Sequence, residues 1–206
     1  MRAHLYPIHY KMYEKILLWN ELTDELAKSP LSGEQKTISK MNAKFGRLPR
    51  ESLEGAIGES DIHDWLKSKI ALVEGRLAFL VTEYKRMDPC AVGELKEKAF
   101  AFGRDKALPA GLNAQETFDL LDGRLLDGLP CEMANQVVAK TESRVSWVQV
   151  ENVHSGYWTQ NGGDVSDYEE IKQSFIDGML CGTGISFVCY AAGVYSLTKT
   201  KHKKHA

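Results

Sequence analysis

The feature that most constrains this chain is an unbroken apolar stripe near its middle. Apolar residues recur at spacings of three and four over residues 61–87, which places them on one face of an α-helix. Ser60 or Asp61 suits the N-cap position, and Asp88-Pro89 ends the pattern because proline disfavours helix in the residue before it. At 1.5 Å per residue such a helix is about 40 Å long, so we expect it to be the central element of a helical layer. The stripe consists of Ile62, Leu66, Ile70, Val73, Leu77, Leu80, Tyr84 and Met87.

Several other segments repeat the helical spacing. Pro7 suits a first helical position, Gly46 suits a C-terminal cap, and Asn113 with Glu116 has the pattern of a capping box. A second capping-box pattern starts at Ser166. The spacing predicts helices over residues 7–28, 34–45, 90–103, 113–127, 130–140 and 166–179, with a loop that holds at most a turn of helix over 46–60.

The apolar period changes from helical to strand-like after residue 144. Alternation and frequent β-branched residues predict a strand at 145–150, and two similar runs at 185–190 and 194–200 predict a hairpin. Residues 153–163 are rich in Gly, Ser, Asn and aromatic residues and are predicted to form a loop. Helices first and strands late predict an α+β fold, mainly helical with a small C-terminal antiparallel β-sheet, and argue against a doubly wound one.

The chain has 206 residues, which is one large domain or two small ones. We predict a single domain over residues 1–206. It divides into a helical layer over about 7–140, a unit of strand, loop, helix and hairpin over 144–200, and a basic tail over 199–206.

Charge and composition limit the partners and the location of the protein. The tail holds four of the 26 Lys and Arg residues, which leaves 22 against 28 acidic residues in the body. An acidic body disfavours nucleic-acid binding, which depends on clustered Lys and Arg. A run of about 18 apolar residues is absent, so we expect no membrane span, and no secretory signal opens the sequence. Four cysteines without a disulfide or zinc spacing then indicate reduced thiols and a cytoplasmic protein.

Standard motifs for cofactors and metals are absent from the sequence. It contains no phosphate-binding loop, no G-x-G-x-x-G, no G-x-S-x-G and no H-E-x-x-H. A metal site built from His154, Glu132 and Asp177 has no support from spacing. We therefore predict neither a cofactor nor a metal.

Two residues carry the chemical hypothesis. Cys131 follows Pro130 and is expected in the first turn of a helix, where free N–H groups and the helix dipole favour a thiolate nucleophile. His154 follows a strand, and its ordinary pKa suits a general base. If the two side chains meet, they form an activated Cys–His pair, with Glu132 or Asp164 orienting the imidazole. The alternatives are a small buried thiol and a hydrogen-bonded imidazole that is half-buried or at the surface.

Aromatic residues surround His154 in the sequence. Trp147, Tyr157 and Trp158 are candidates to line an apolar substrate pocket. The alternative is that they are core residues that join the sheet to the helices.

The last third of the chain resembles a known enzyme family in its layout. Val145-Ser146-Trp147, Val153-His154, Trp158 and Phe175-Ile176-Asp177-Gly178 stand in an order of strand, polar loop, acidic helix and late strands. In this order they resemble the L-2-amino-thiazoline-4-carboxylic acid hydrolase family. The resemblance implies a small-molecule hydrolase acting on a C–N bond or a small ring, and it makes Asp177 a candidate substrate-binding residue.

Three hypotheses of function follow. The first is a small-molecule-binding enzyme with Cys131 as the nucleophile and His154 as the base. The second is a non-catalytic interaction or ligand-sensing module whose amphipathic helices bind a partner or a second copy as a homodimer. The third, nucleic-acid binding through residues 199–206, is disfavoured by the acidic body.

Overall fold

The computed structural model describes residues 5–29, 33–49, 51–58 and 60–200. Most of the predicted basic tail, residues 201–206, therefore lies outside the described residues. Within them the fold is α+β, as predicted, with helices first and a small antiparallel sheet near the C-terminus. The elements are α1 (Pro7–Leu26), α2 (Glu34–Phe45), α3 (Leu53–Ile57), α4 (Ile62–Met87), α5 (Ala91–Asp105), α6 (Ala114–Asp122), β1 (Asn135–Lys140), β2 (Arg144–Gln149), α7 (Ser155–Gln160), α8 (Val165–Leu180), β3 (Ile185–Ala191) and β4 (Val194–Lys199).

Helix α4 is the long central helix that the apolar stripe predicts. Asp61 caps its N-terminus, where the carboxylate accepts hydrogen bonds from the backbone N–H groups of His63 and Asp64. The backbone turns extended at Asp88, before Pro89. Its buried face includes two charged side chains, Glu74 and Arg76, among the apolar ones. The helix therefore carries charge into the interior as well as apolar surface.

Helices α5 and α8 cross at two glycines. A Cβ atom on Gly103 would lie 2.2 Å from the carbonyl oxygen of Phe175, and one on Gly178 would lie 2.2 Å from that of Phe100. Both distances are far inside van der Waals contact, so only glycine permits this approach of two helix backbones. The crossing holds α8, which carries Tyr168 and Lys172, against the helical layer.

The sheet has four antiparallel strands in the order β1-β2-β4-β3. The predicted hairpin and the strand near 145–150 are confirmed as β3, β4 and β2. The helix predicted over 130–140 is wrong. It is a single 3₁₀ turn, Pro130–Glu132, which ends at Met133 in a left-handed conformation (φ 45°), followed by β1. Pairing of this segment with β2 overrides its weak helical spacing, and its valines suit a strand.

Three smaller predictions are also wrong. The helix predicted over 113–127 ends at Asp122. The segment predicted as a loop over 153–163 contains the short helix α7, which packs the buried Trp158. Helix α8 is capped by Asp164, whose carboxylate accepts from the N–H of Ser166, and not by Ser166 itself. Asp and Ser are both favourable N-cap residues, so the local backbone conformation decides which of the two caps the helix.

One continuous apolar core joins the helices to the inner face of the sheet. Trp19 of α1, Leu80 of α4, Phe175 of α8 and Leu197 of β4 all belong to it and are almost fully buried. Among the described residues, no helix has the length and apolar character that crossing a membrane requires.

Candidate functional site

The thiol of Cys131 has an imidazole partner, but the partner is not the predicted one. Sγ of Cys131 lies 3.2 Å from Nε2 of His63, and both residues are exposed. The 3₁₀ turn presents Cys131, and the first turn of α4 presents His63, whose backbone is held by the cap at Asp61. Two separated segments therefore bring a thiol and an imidazole within hydrogen-bonding distance.

His154 lies in the interior between two carboxylates. Its Nδ1 is 2.9 Å from Oε1 of Glu74 and its Nε2 is 3.2 Å from Oδ1 of Asp127. The imidazole has no exposed surface and stacks on the ring of Tyr168, with 4.0 Å between the ring centroids. The Cys131–His154 pair of the sequence hypothesis is therefore not formed, because the exposed thiol contacts His63 and the enclosed imidazole contacts Glu74 and Asp127.

The two carboxylates control the protonation of His154. Burial by itself would lower the pKa of the imidazole, but the charges of Glu74 and Asp127 and their hydrogen bonds raise it to about 9. Burial likewise opposes ionisation of Asp127, yet His154 and Lys172 hold the pKa of that carboxyl well below its usual range. At neutral pH the centre is therefore an imidazolium between two carboxylates, with both ring nitrogens engaged as donors.

The buried charges continue from Asp127 towards the sheet. The second oxygen of Asp127 accepts a hydrogen bond of 2.6 Å from the side-chain amide of Asn135. Lys172, itself buried, lies 2.8 Å from Oε2 of Glu169 and 3.2 Å from the hydroxyl of Tyr195. Burial would lower the pKa of Lys172, but the charges of Asp127 and Glu169 raise it. We call Glu74, Asp127, His154, Glu169 and Lys172 the buried charge cluster.

A small cavity opens beside Glu74, on the side of the molecule that carries Cys131. Its volume is about 140 Å³, close to that of an apolar cavity that accepts benzene. Oε1 of Glu74 is held by His154, whereas Oε2 is buried and has no hydrogen-bond partner in the structure. The lining residues are Lys67, Ile70, Glu74, Gly128, Leu129, Glu132, Glu151, Val153 and Tyr157.

Two residues that line the cavity are neighbours in the chain of the Cys131–His63 pair. Glu132 follows Cys131 in the 3₁₀ turn, and Lys67 lies one helical turn beyond His63 on α4. Glu132 also closes its own turn, because its carboxylate accepts a hydrogen bond of 2.6 Å from the N–H of Leu129. The cavity therefore lies beside the two segments that carry the thiol and the imidazole.

A larger and more open cleft lies on the other side of the same turn. It has a volume of about 730 Å³ and separates the first half of α1 from residues 119–135. Asp127 and Asn135 line its floor, and Arg124 lines its wall. The buried charge cluster therefore touches both hollows, through Glu74 on one side and Asp127 on the other.

The predicted site residues lie in several different parts of the structure and do not form one site. Glu132 and Tyr157 line the small cavity, and Trp158 is buried beside Tyr168. Trp147 is buried at the sheet, where its ring packs on Phe118, Phe187 and Tyr195. Asp164 caps α8, and Asp177 is half-buried on the same helix, where burial raises the pKa of its carboxyl.

Sequence reasoning missed His63, Lys67, Glu74, Asp127 and Lys172. One signal was available for Glu74, since it follows Ile70 by four positions and so falls on the apolar stripe of α4. A charged residue on the buried face of a long helix needs a partner, which marks it as a candidate site residue. Asp127 lies outside any such pattern, and His63 lies on α4 but off its apolar stripe, so neither residue carried this signal.

No group of three or more potential metal ligands is present in the part of the chain that the structure describes. The carboxylates of Glu74 and Asp127 are bridged by the imidazole of His154. Comparison with protein-family models, with curated proteins and with solved structures gives no match to this chain.

Proposed function

We propose that this chain is a small-molecule-binding enzyme, a hydrolase of C–N bonds, in which Cys131 is the nucleophile and His63 is the base. The observation that carries the proposal is the 3.2 Å contact between Sγ of Cys131 and Nε2 of His63, next in the chain to Glu132 and one helical turn from Lys67, which line the small cavity. His63 replaces His154 as the base, because both nitrogens of His154 already face carboxylates and no proton acceptor is free there.

The reaction requires no external reductant or oxidant. The thiol proton passes to Nε2 of His63 as Sγ adds to the carbonyl carbon, and the same proton then passes to the nitrogen that leaves as the C–N bond breaks. Water adds to the resulting thioester and gives a proton to His63. That proton returns to Sγ when the C–S bond breaks, and a carboxylic acid is released.

The layout of the last third of the chain supports the choice of bond. Its resemblance to the L-2-amino-thiazoline-4-carboxylic acid hydrolase family suggests a C–N bond or a small nitrogen-containing ring as the target. The volume of the cavity, about 140 Å³, favours a small substrate or the end of a longer one.

Thiol alkylation tests the proposal with an internal control. All four cysteines are free and exposed, so exposure alone predicts similar rates for Cys90, Cys131, Cys181 and Cys189. With iodoacetamide at pH 6.5, Cys131 is expected to react several-fold faster than the other three, as followed by peptide mass spectrometry. Equal rates would remove Cys131 as an activated nucleophile.

An activated ester tests the covalent step. p-Nitrophenyl acetate should give a burst of p-nitrophenol together with an acetyl group on Cys131. The Cys131→Ala variant should lose both, whereas Cys181→Ala should keep both. Acetylation spread over all four cysteines would contradict the proposal.

Exposed and free thiols also bear on location. Four such thiols are stable in a reducing compartment and would oxidise outside it. We therefore propose that the protein is cytoplasmic.

A specific observation favours the second candidate function, a non-catalytic homodimer. Strand β1 is an outer strand of the sheet, and Val137 and Val138 are 43% and 59% exposed. An exposed apolar edge strand can pair with the same strand of a second copy. A dimer in sedimentation that Val138→Lys converts to monomer, with Cys131 no more reactive than the other thiols, would favour this candidate over the hydrolase.

A further inference from the structure

The small cavity is electronegative at its inner end. The buried charge cluster contains three carboxylates, Glu74, Asp127 and Glu169, against two cations, His154 and Lys172. With all five groups ionised, the net charge of the cluster is therefore −1. Of the three carboxylates, Glu74 is the one that lines this cavity.

The remaining wall adds to this potential. Glu132 and Glu151 line the cavity against one cation, Lys67. The same negative potential acts on Tyr157. Burial raises the pKa of its hydroxyl, and the charges of Glu74 and Glu132 raise it further. A cation entering the cavity would thus be attracted from several directions.

Only one of the two carboxylate oxygens of Glu74 has a hydrogen-bond partner among the described residues. Its residue is 2% exposed, Oε1 faces His154, and Oε2 has no hydrogen-bond partner in the described structure. A buried charged oxygen without a partner is costly, which makes it a strong acceptor for a ligand that brings a donor with positive charge. An ammonium group supplies both.

The rest of the lining suits a hydrocarbon chain. Ile70, Leu129 and Val153 provide apolar walls, and the ring of Tyr157 can pack against methylene groups or face a cation. We infer that the small cavity binds an alkylammonium group through Oε2 of Glu74, and that this group is part of the substrate. The second half of this inference rests on the proposed function, whereas the binding site itself does not.

The geometry of α4 bears on the shape of such a substrate. Glu74 lies eleven residues after His63, which corresponds to about 16 Å along the helix axis. A ligand with its ammonium group at Glu74 and its scissile bond at Cys131 must therefore be extended.

A direct binding experiment tests the site. Titrating the full chain with n-butylammonium and, separately, with butan-1-ol compares a cation with a neutral molecule of the same size. Calorimetry or chemical shifts of cavity residues should show n-butylammonium binding at least about tenfold more tightly, as expected for a hydrogen bond to a charged group. Butyrate should not bind. Equal binding of the amine and the alcohol, or binding of neither, would overturn the inference.

Two exposed charges provide variants that should act in opposite directions. Lys67→Gln removes a competing cation and should tighten n-butylammonium binding about threefold, whereas Glu132→Gln should weaken it about threefold. Opposite shifts cannot arise from general unfolding. Unchanged affinity in both variants would contradict the assigned cavity, and Glu74→Gln, if it folds, should weaken binding about tenfold or more.

The Cys131→Ser variant separates this inference from the proposed function. It should bind n-butylammonium as the unmodified chain does, because the ammonium site does not include the thiol. If n-butylammonium binds but Cys131 is no more reactive than the other cysteines, the cation site is supported and the proposed hydrolase function is contradicted. If Cys131 is more reactive than the other cysteines but the chain binds no amine, the hydrolase function is supported and the cation site is contradicted.

Discussion

Nδ1 of His154 lies 2.9 Å from Oε1 of Glu74, a residue 80 positions earlier in the chain. This contact joins the middle of the longest helix to the segment that follows β2, and Asp127 completes it from the opposite side of the ring. Because both partners are enclosed, the contact stabilises the fold only while both charges are present.

Removal of the imidazole should strongly destabilise the protein. His154→Gln leaves the buried Glu74 and the largely buried Asp127 without a cation between them, and such a loss costs about 3–5 kcal/mol of unfolding free energy. Urea denaturation measures the difference. His9→Gln, a partly exposed histidine on α1, provides the control and should change stability by less than about 0.5 kcal/mol. A similar small effect for His154→Gln would show that the buried charges do not depend on the ring.

The same cluster should make stability fall at mildly alkaline pH. The pKa of His154 is about 9 in the folded protein and about 6.5 when unfolded, so the folded state keeps a proton that the unfolded state loses. The stabilisation is complete below pH 6.5 and is lost as pH rises through about 9. Its size is on the order of 3 kcal/mol. Urea midpoints measured from pH 6 to pH 9 should decrease steadily, and a flat profile would contradict a charged His154.

The crossing of α5 and α8 should not tolerate a methyl group. Gly178→Ala places its Cβ atom against the carbonyl oxygen of Phe100, and the helix backbone cannot move aside cheaply. We expect a loss of roughly 2–4 kcal/mol in unfolding free energy, at or beyond the usual range for overpacking. Gly93→Ala on α5 is the matched control, since its Cβ atom would meet nothing within 4 Å. That change should be neutral or stabilising by up to about 1 kcal/mol.

Loss of His63 should lower the reactivity of Cys131 alone. In His63→Gln the thiol loses the acceptor at 3.2 Å, so its alkylation at pH 6.5 should slow several-fold towards the rates of the other cysteines. Cys90, Cys181 and Cys189 should react as before, and His9→Gln should leave all four rates unchanged. If His63→Gln leaves the rate at Cys131 unaltered, the imidazole is not the base that activates the thiol.

Prediction from the sequence succeeded where the signal was local and failed where strand pairing decided the outcome. The bounds of α2 and α4 follow from spacing and caps within each segment, and they agree with the structure to within a residue or two. The segment 130–140 carries a weak helical spacing together with valines that suit a strand. Its pairing with β2 selected the strand, and that pairing is not visible within the segment.

The candidate site divides in the same way. The sequence by itself determined the α+β class, the long apolar helix and the interest of Cys131 and His154, because residue chemistry and helical spacing are properties of one segment. Only the tertiary structure decided that Cys131 meets His63 and that His154 is enclosed by Glu74 and Asp127. These contacts arise from the docking of α4 against residues 127–154, and contacts between side chains so far apart in the chain leave no local trace in either segment.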